Sequence, residues 1–261
     1  MWRLCVRMLI AIPVFNEAAY LARVLRHVHG FHPDILAIDD GSTDATPDLL
    51  AGLKDELGLR VIRHDVNRGY GQSLIDAFEF ADREGFDWVI TMDCDEQHEP
   101  AMIPDFIRMI DQDRWDIISG SRYMKPRNDD DLPPIDRRTI NATLTAMLND
   151  LFNLGITDAF CGFKAHRVSA MEKLHLTIPG YAFPMQFWVQ AVAHGLRIVE
   201  IPVRLIYKDA TRHFGGKLDD PSARLQHYLE VLTREVQAVR QTTLDPSDPM
   251  CPMCCAGNTG D

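Results

Sequence analysis

The run Trp88-Val89-Ile90-Thr91-Met92, followed at once by Asp93-Cys94-Asp95-Glu96-Gln97-His98, constrains this chain more than any other stretch. A short apolar, β-branched segment bounded by Gly85 and Pro100 reads as a strand buried on both faces, as the interior of a parallel sheet requires. It stops at acid. Asp93 and Asp95, two residues apart, can turn toward one hard cation with Gln97 beside them. Ligands of open α/β sheets gather outside the carboxyl ends of the strands, which is where these oxygens fall. The spacing alone fits a solvated acidic turn equally well, so the other strand ends must decide.

They repeat the pattern. Met8 to Ile12 is a short apolar strand halted by Pro13, and Asn16 can cap a helix from Glu17 to about His29. Ile35 to Ile38 is a second strand, ending in Asp39-Asp40 and turning on Gly41 before a helix capped near Thr43 or Asp44. Asp39 can serve simply to brace that turn. Leu59 to Ile62 is a third strand, and Asn67-Arg68-Gly69-Tyr70-Gly71 leads from it into an amphipathic helix, Gln72 to Arg83. After the acidic stretch, Pro100 opens a further helix, and Asp116 to Arg122 is a fifth strand ending in a cation. Strands alternating with helices at this spacing imply βαβ units and a mainly parallel sheet.

The later chain is less regular. Lys125 to Pro134 reads as a mobile or plain surface loop, and Ile140 to Phe152 as an apolar helix stripe. Asp158 to Lys164 is turn-rich, Phe187 to His194 helical, and Leu196 to Val203 a strand. Leu225, Leu229, Leu232, Val236 and Val239 repeat at helical spacing over 221–242; such a stripe packs on its own sheet or lies on a membrane or partner. From 243 to 261 the tail is rich in Pro, Cys and Gly and is expected to be disordered. Its Cys251, Cys254 and Cys255 have no histidine companion and fall short of a closed four-ligand zinc shell.

With 261 residues and 46% hydrophobic content the chain can build one large domain, taken here as 1–220 with the helix and tail appended. A net charge of −11 argues against non-specific binding to nucleic acid. No apolar run reaches the ~18 residues that cross a bilayer, and the start is too short for a secretory signal. Scattered cysteines suit reduced thiols, so the expected place is the cytoplasm, or the cytosolic face of a membrane as a peripheral protein. Neither a dinucleotide glycine fingerprint nor a P-loop is present. Acids delivered by three strand ends to one crevice, with Arg122 from another, suit a nucleotide and a divalent metal bridging its diphosphate.

Taken together, Pro13-Val14-Phe15-Asn16-Glu17, Asp39-Asp40-Gly41-Ser42-Thr43-Asp44-Ala45-Thr46, Asn67-Arg68-Gly69-Tyr70-Gly71, Asp93 to His98 and Gly120-Ser121-Arg122-Tyr123 resemble the family 2 glycosyltransferases of the GT-A fold. Asp158 with Cys161-Gly162-Phe163-Lys164, and the Arg212 to Lys217 passage, are similar to the dolichyl- or polyprenyl-phosphate mannosyltransferase branch. The resemblance spans about 8–220. It implies a GT-A fold, Rossmann-like, with a mainly parallel sheet flanked by helices. It further implies that Pro13, Phe15, Glu17, Ile38 and Asp40 hold the nucleoside, with Asp93, Cys94 and Arg122 also on the nucleotide-sugar donor. Asp93, Asp95 and Gln97 would hold Mg²⁺ or Mn²⁺, and Asp95, Arg122, Arg137 and Lys217 would carry catalysis around the phosphates of donor and acceptor.

The chemistry then turns on the acceptor. A sugar hydroxyl must lose a proton and wants a carboxylate, whereas a lipid phosphate is already anionic and wants cations. No Asp or Glu occurs between Leu176 and Val199, which favours a polyprenyl-phosphate acceptor. The chain departs from that branch at Gln186, where Glu is usual, at Asn141, where Ser is usual, and in Phe214-Gly215-Gly216-Lys217, which lacks the usual Ser. The expected activity is metal-dependent, inverting transfer of a hexose, mannose from GDP-mannose first. Transfer to a saccharide hydroxyl, and nucleotide-sugar binding without turnover, remain the alternatives.

Overall fold

The structure, a computed structural model, describes residues 6–125, 130–131, 133–207 and 214–243. The expected tail and its cysteines, Arg212, and much of the Lys125 to Pro134 loop lie outside them. Strands β1 (Met8–Val14), β2 (Ile35–Asp39), β3 (Arg60–Arg63), β4 (Trp88–Thr91), β5 (Ile117–Ser121), β6 (Lys164–Arg167) and β7 (Ile198–Pro202) make one sheet in the order β3-β2-β1-β4-β6-β5-β7. Strands β1 to β4 are parallel, as are β5 and β7, and β6 runs antiparallel between β4 and β5. The helices are α1 (Leu21–His29), α2 (Thr46–Leu57), α3 (Tyr70–Arg83), α4 (Ile103–Ile110), α5 (Ile135–Phe152), α6 (Val168–Met171), α7 (Phe183–Ala193) and α8 (Pro221–Thr243).

Because side chains of a strand alternate between faces, the central strands feed two cores. Leu9, Ala11, Leu36 and Val89 pack with α3, α5, α7 and α8, while Ile10, Ile12, Ile35 and Ile90 pack with α1, α2 and α4. The apolar stripe of α8 joins the first core through Leu232, with Leu225, Leu229, Val236 and Val239 against it. That stripe therefore rests on the chain's own body.

Two local expectations change. Asn16 does not cap the helix after it: its backbone takes a left-handed turn (φ 56°), α1 starts only at Leu21, and its Oδ1 accepts the N–H groups of Thr43 (2.8 Å) and Asp44 (3.3 Å). Asn16 thus ties the loop after β1 to the loop after β2. The second change is β6, a central strand that begins at Lys164, where the turn-rich stretch ends, and that carries no strand signal in its sequence. Its letters, Lys-Ala-His-Arg, break the apolar signal, yet Lys164 and His166 are buried there.

Candidate active site

The carboxyl ends of β1, β2, β4 and β5 open into one cavity of about 680 Å³, lined among others by Pro13, Phe15, Glu17, Asp40, Asp93, Cys94, Asp95, Gln97, Arg122 and Arg137. Most of the residues expected at the site are thus brought together. Two are not. Ile38 is fully buried because its side chain alternates into the core, and Lys217, on the short turn Gly216–Asp219, is exposed and off the cavity wall. Cys94 reaches the wall but is only 2% exposed, and burial, then the charges of Asp95 and Asp93, push its thiol far up.

At one end sits the β2 turn. Asp39 braces it, its Oδ1 accepting the N–H of Ser42 at 2.9 Å. Asp40 is 3% exposed and its carboxylate is held by the N–H groups of Arg68 (2.7 Å) and Gly69 (2.8 Å) and by Nδ1 of His64 (2.6 Å). Gly69 has φ 104°, and a Cβ there would meet the Pro179 carbonyl at 2.4 Å, so only glycine lets this loop slide under residues 178–180. Exposed Phe15 and buried Glu17 face the same end.

In the middle lie the acids of β4. The Tyr70 hydroxyl donates to Asp93 Oδ1 (3.0 Å), and a Cβ on Gly162 would fall 2.6 Å from Asp93 Oδ2, so glycine leaves room for that carboxylate. His98 Nδ1 accepts the Asp93 N–H (3.0 Å); burial lowers this imidazole to about 4, and its other nitrogen lies 3.7 Å from Asp93 Oδ2. Burial, and then the charge of Asp93, push the Asp95 carboxyl up to about 7. Paired half-buried acids of this kind suit a divalent cation, whose charge would remove that strain; Gln97 offers a further oxygen. Among the described residues no group of three or more His, Cys, Asp or Glu is gathered as a metal site.

The far end is cationic and aromatic. Arg122 forms a two-pronged bridge to Asp158 (2.6 and 2.9 Å), which also accepts from Asn141 (2.8 Å). Burial opposes ionisation of Asp158, but the Arg122 charge and these hydrogen bonds together hold it down at about 2. Asn141, at a position where Ser is usual in the resembled branch, thus has a role of its own. Arg137 lies over the rings of Phe214 (4.7 Å) and Tyr207 (5.5 Å). Arg224 also stacks on Phe214 (4.4 Å), pairs with Asp136 and donates to the Leu218 carbonyl at 2.9 Å. Arg224 and Tyr70 escape the sequence reading: Arg224 follows the resembling segment and looks like a polar-face residue of α8, and nothing in sequence places Tyr70 beside Asp93.

A family model described as Glycosyl transferase family 2 matches residues 9–175. Among curated relatives, the polyprenol monophosphomannose synthase of Mycolicibacterium smegmatis is 30% identical over 208 residues, 76% of this chain and 76% of the relative. The undecaprenyl-phosphate mannosyltransferase of Micrococcus luteus is 27% identical over 210 residues, 78% of this chain and 85% of the relative. Among solved structures, glucosyl-3-phosphoglycerate synthase from Mycobacterium tuberculosis, in complex with Mg²⁺ and uridine diphosphate, superposes with a TM-score of 0.68 at 16% identity, covering 88% of this chain and 79% of that one. That likeness bears out the GT-A architecture expected from the sequence.

Proposed function

Because the chain belongs to glycosyl transferase family 2, we propose that it moves a hexose, mannose from GDP-mannose first, onto a polyprenyl phosphate with inversion at the anomeric carbon. The observation that carries this reading is the polarity of one cavity. Its lining carboxylates, Glu17, Asp40, Asp93 and Asp95, come from the β1, β2 and β4 ends, and its lining cations, Arg122, Arg137 and Arg224, come from the β5 end, α5 and α8.

Each end has its task. Asp40 accepts an N–H from the nucleobase, with Phe15 offering a ring and Glu17 a second polar contact. Asp93, Asp95 and Gln97 would hold Mg²⁺ or Mn²⁺, which when bound neutralises the departing diphosphate. Arg137 and Arg224, both stacked on Phe214, orient the anionic acceptor in line with the anomeric carbon. The carboxylates that touch these cations, Asp158 on Arg122 and Asp136 on Arg224, are already committed to ion pairs, and a phosphate oxygen needs no base.

A lipid acceptor also requires approach to a membrane from the cytosolic side. Among the described residues no helix is long and apolar enough to cross a bilayer. Ile135, 82% exposed at the start of α5, offers an apolar side chain for peripheral contact. Incubation with labelled GDP-mannose or UDP-glucose, with and without polyprenyl phosphate, tests the whole reading. Label passing into the lipid phase only when polyprenyl phosphate is present supports it; label on a soluble saccharide, or no nucleoside diphosphate release, overturns it.

A further inference from the structure

His64 lies just beyond β3, 6% exposed and off the cavity wall, with a carboxylate at each ring nitrogen. Nδ1 is 2.6 Å from Asp40 Oδ1 and Nε2 is 2.6 Å from Asp76 Oδ2. Ionised carboxylates only accept hydrogen bonds, so both contacts are made when both ring nitrogens carry hydrogen. Asp76, on α3, is itself held by Gln72 Nε2 (2.8 Å) on its other oxygen, with Arg68 Nη1 3.6 Å away. The line Asp76–His64–Asp40 therefore runs from helix α3, under the sheet edge, to the floor of the nucleotide end.

We propose that His64 is a positioning residue for nucleobase selection. It anchors the Asp40 carboxylate so that an oxygen of it is presented to the cavity as an acceptor, and the site then takes bases presenting a ring N–H, such as guanine or uracil, and rejects bases presenting a ring nitrogen lone pair, such as adenine or cytosine. The proposal rests on the donor-site reading given above and names the device that makes it selective.

The hydrogen-bond inventory supports this. Asp40 Oδ1 receives two donors, His64 and the Arg68 N–H, and Oδ2 receives the Gly69 N–H, which leaves acceptor capacity on Oδ2 for a ligand in the cavity that Asp40 lines. Three hydrogen bonds hold this buried carboxylate in place. His64 is the side-chain donor among them. Without it, the carboxylate is anchored only by the backbone N–H groups of Arg68 and Gly69 and can turn, which blurs the distinction between the two kinds of base. Asp76 orients the ring from behind, as a carboxylate commonly fixes a functional histidine.

The test compares wild type, His64→Gln, His64→Leu and Asp76→Asn by calorimetry with GDP, UDP, ADP and CDP in the presence of Mn²⁺, and by steady-state kinetics with the donor. Wild type is expected to bind GDP or UDP at least ten-fold more tightly than ADP and CDP. In His64→Leu that ratio should fall below about three, with His64→Gln and Asp76→Asn between the two. The loss should fall on KM for the donor, with kcat at saturation changing less than three-fold. Circular dichroism and melting confirm that each variant is folded, and Asp76→Asn, which leaves His64 in place, keeps the test open should His64→Leu fail to fold. Folded variants that keep the wild-type base ratio overturn the inference. A wild type that binds none of the four nucleotides overturns the donor-site reading instead.

Discussion

Burial and the charge of Asp93 push Asp95 up to about 7, so between roughly pH 4 and pH 7 the folded chain holds a proton there that the unfolded chain has released. The sign follows directly: this carboxyl costs the fold nothing below its unfolded value near 4, and the cost grows until it is complete above about 7. Asp95→Asn, compared with wild type without divalent cation, should therefore raise the melting temperature above pH 7, by an amount equivalent to a few kcal/mol at most, and make no difference near pH 4. A pH-independent difference would refute the assignment. The same substitution should lower transfer by about a hundred-fold or more if this carboxylate holds the charge that meets the diphosphate. Glu17, Asp40, Asp93, Asp95 and Arg122 were legible because each stands just past an apolar strand. Ile38 was expected at the site through family resemblance, but strand alternation turns it into the core, and Tyr70 and Arg224 owe their place to loops and helices that meet only in three dimensions.

At the scale of elements, runs of β-branched residues announced β1, β2, β4, β5 and β7, and helical spacing announced α8, because one hydrophobic signal dominates each. Strand β6 was hidden because its polar letters are buried: Lys164 donates to the Cys161 carbonyl, and His166 packs against the rings of Phe78 and Phe187. The contact of α7 with α8 was equally hidden. Gln186 accepts the N–H groups of Thr177 (2.7 Å) and Ile178 (3.0 Å) and donates to Glu235 (3.0 Å), so α8 supplies a buried acid beside the position where the resembled branch has Glu. Gln186→Glu alone would set two buried carboxylates against each other and should destabilise by about 2–4 kcal/mol. The reciprocal pair, Gln186→Glu with Glu235→Gln, restores one donor and one acceptor across the gap and should recover most of that loss. Melting of the two single variants and the double separates this from independent effects, which would simply add. Leu232→Ala, which empties a buried site on the same helix, should cost about 2–5 kcal/mol.

For the whole molecule, the proposed function requires one cavity to bring together acids, an anionic donor and an anionic acceptor in a chain of net charge −11. Anionic donor and acidic β4 end repel unless a cation lies between them, so metal and nucleotide should bind as a coupled pair. Each taken alone should stabilise the fold weakly, and both together by more than the sum. At a hundred times the dissociation constant a native-state ligand adds about 2.7 kcal/mol, which for a chain of this size raises the melting temperature by roughly 5–10 °C. The measurement is a melting series with Mn²⁺, GDP-mannose, UDP-glucose and UDP-N-acetylglucosamine, singly and combined. A shift that needs both metal and one nucleotide sugar fits the proposed chemistry and identifies the donor. The coupling should vanish in Asp93→Asn with Asp95→Asn, because removing both charges removes the reason for the cation. A nucleotide sugar that stabilises wild type equally in excess EDTA would show that Arg122, Arg137 and Arg224 carry the diphosphate without a metal, and the roles of the two ends of the cavity would have to be reassigned.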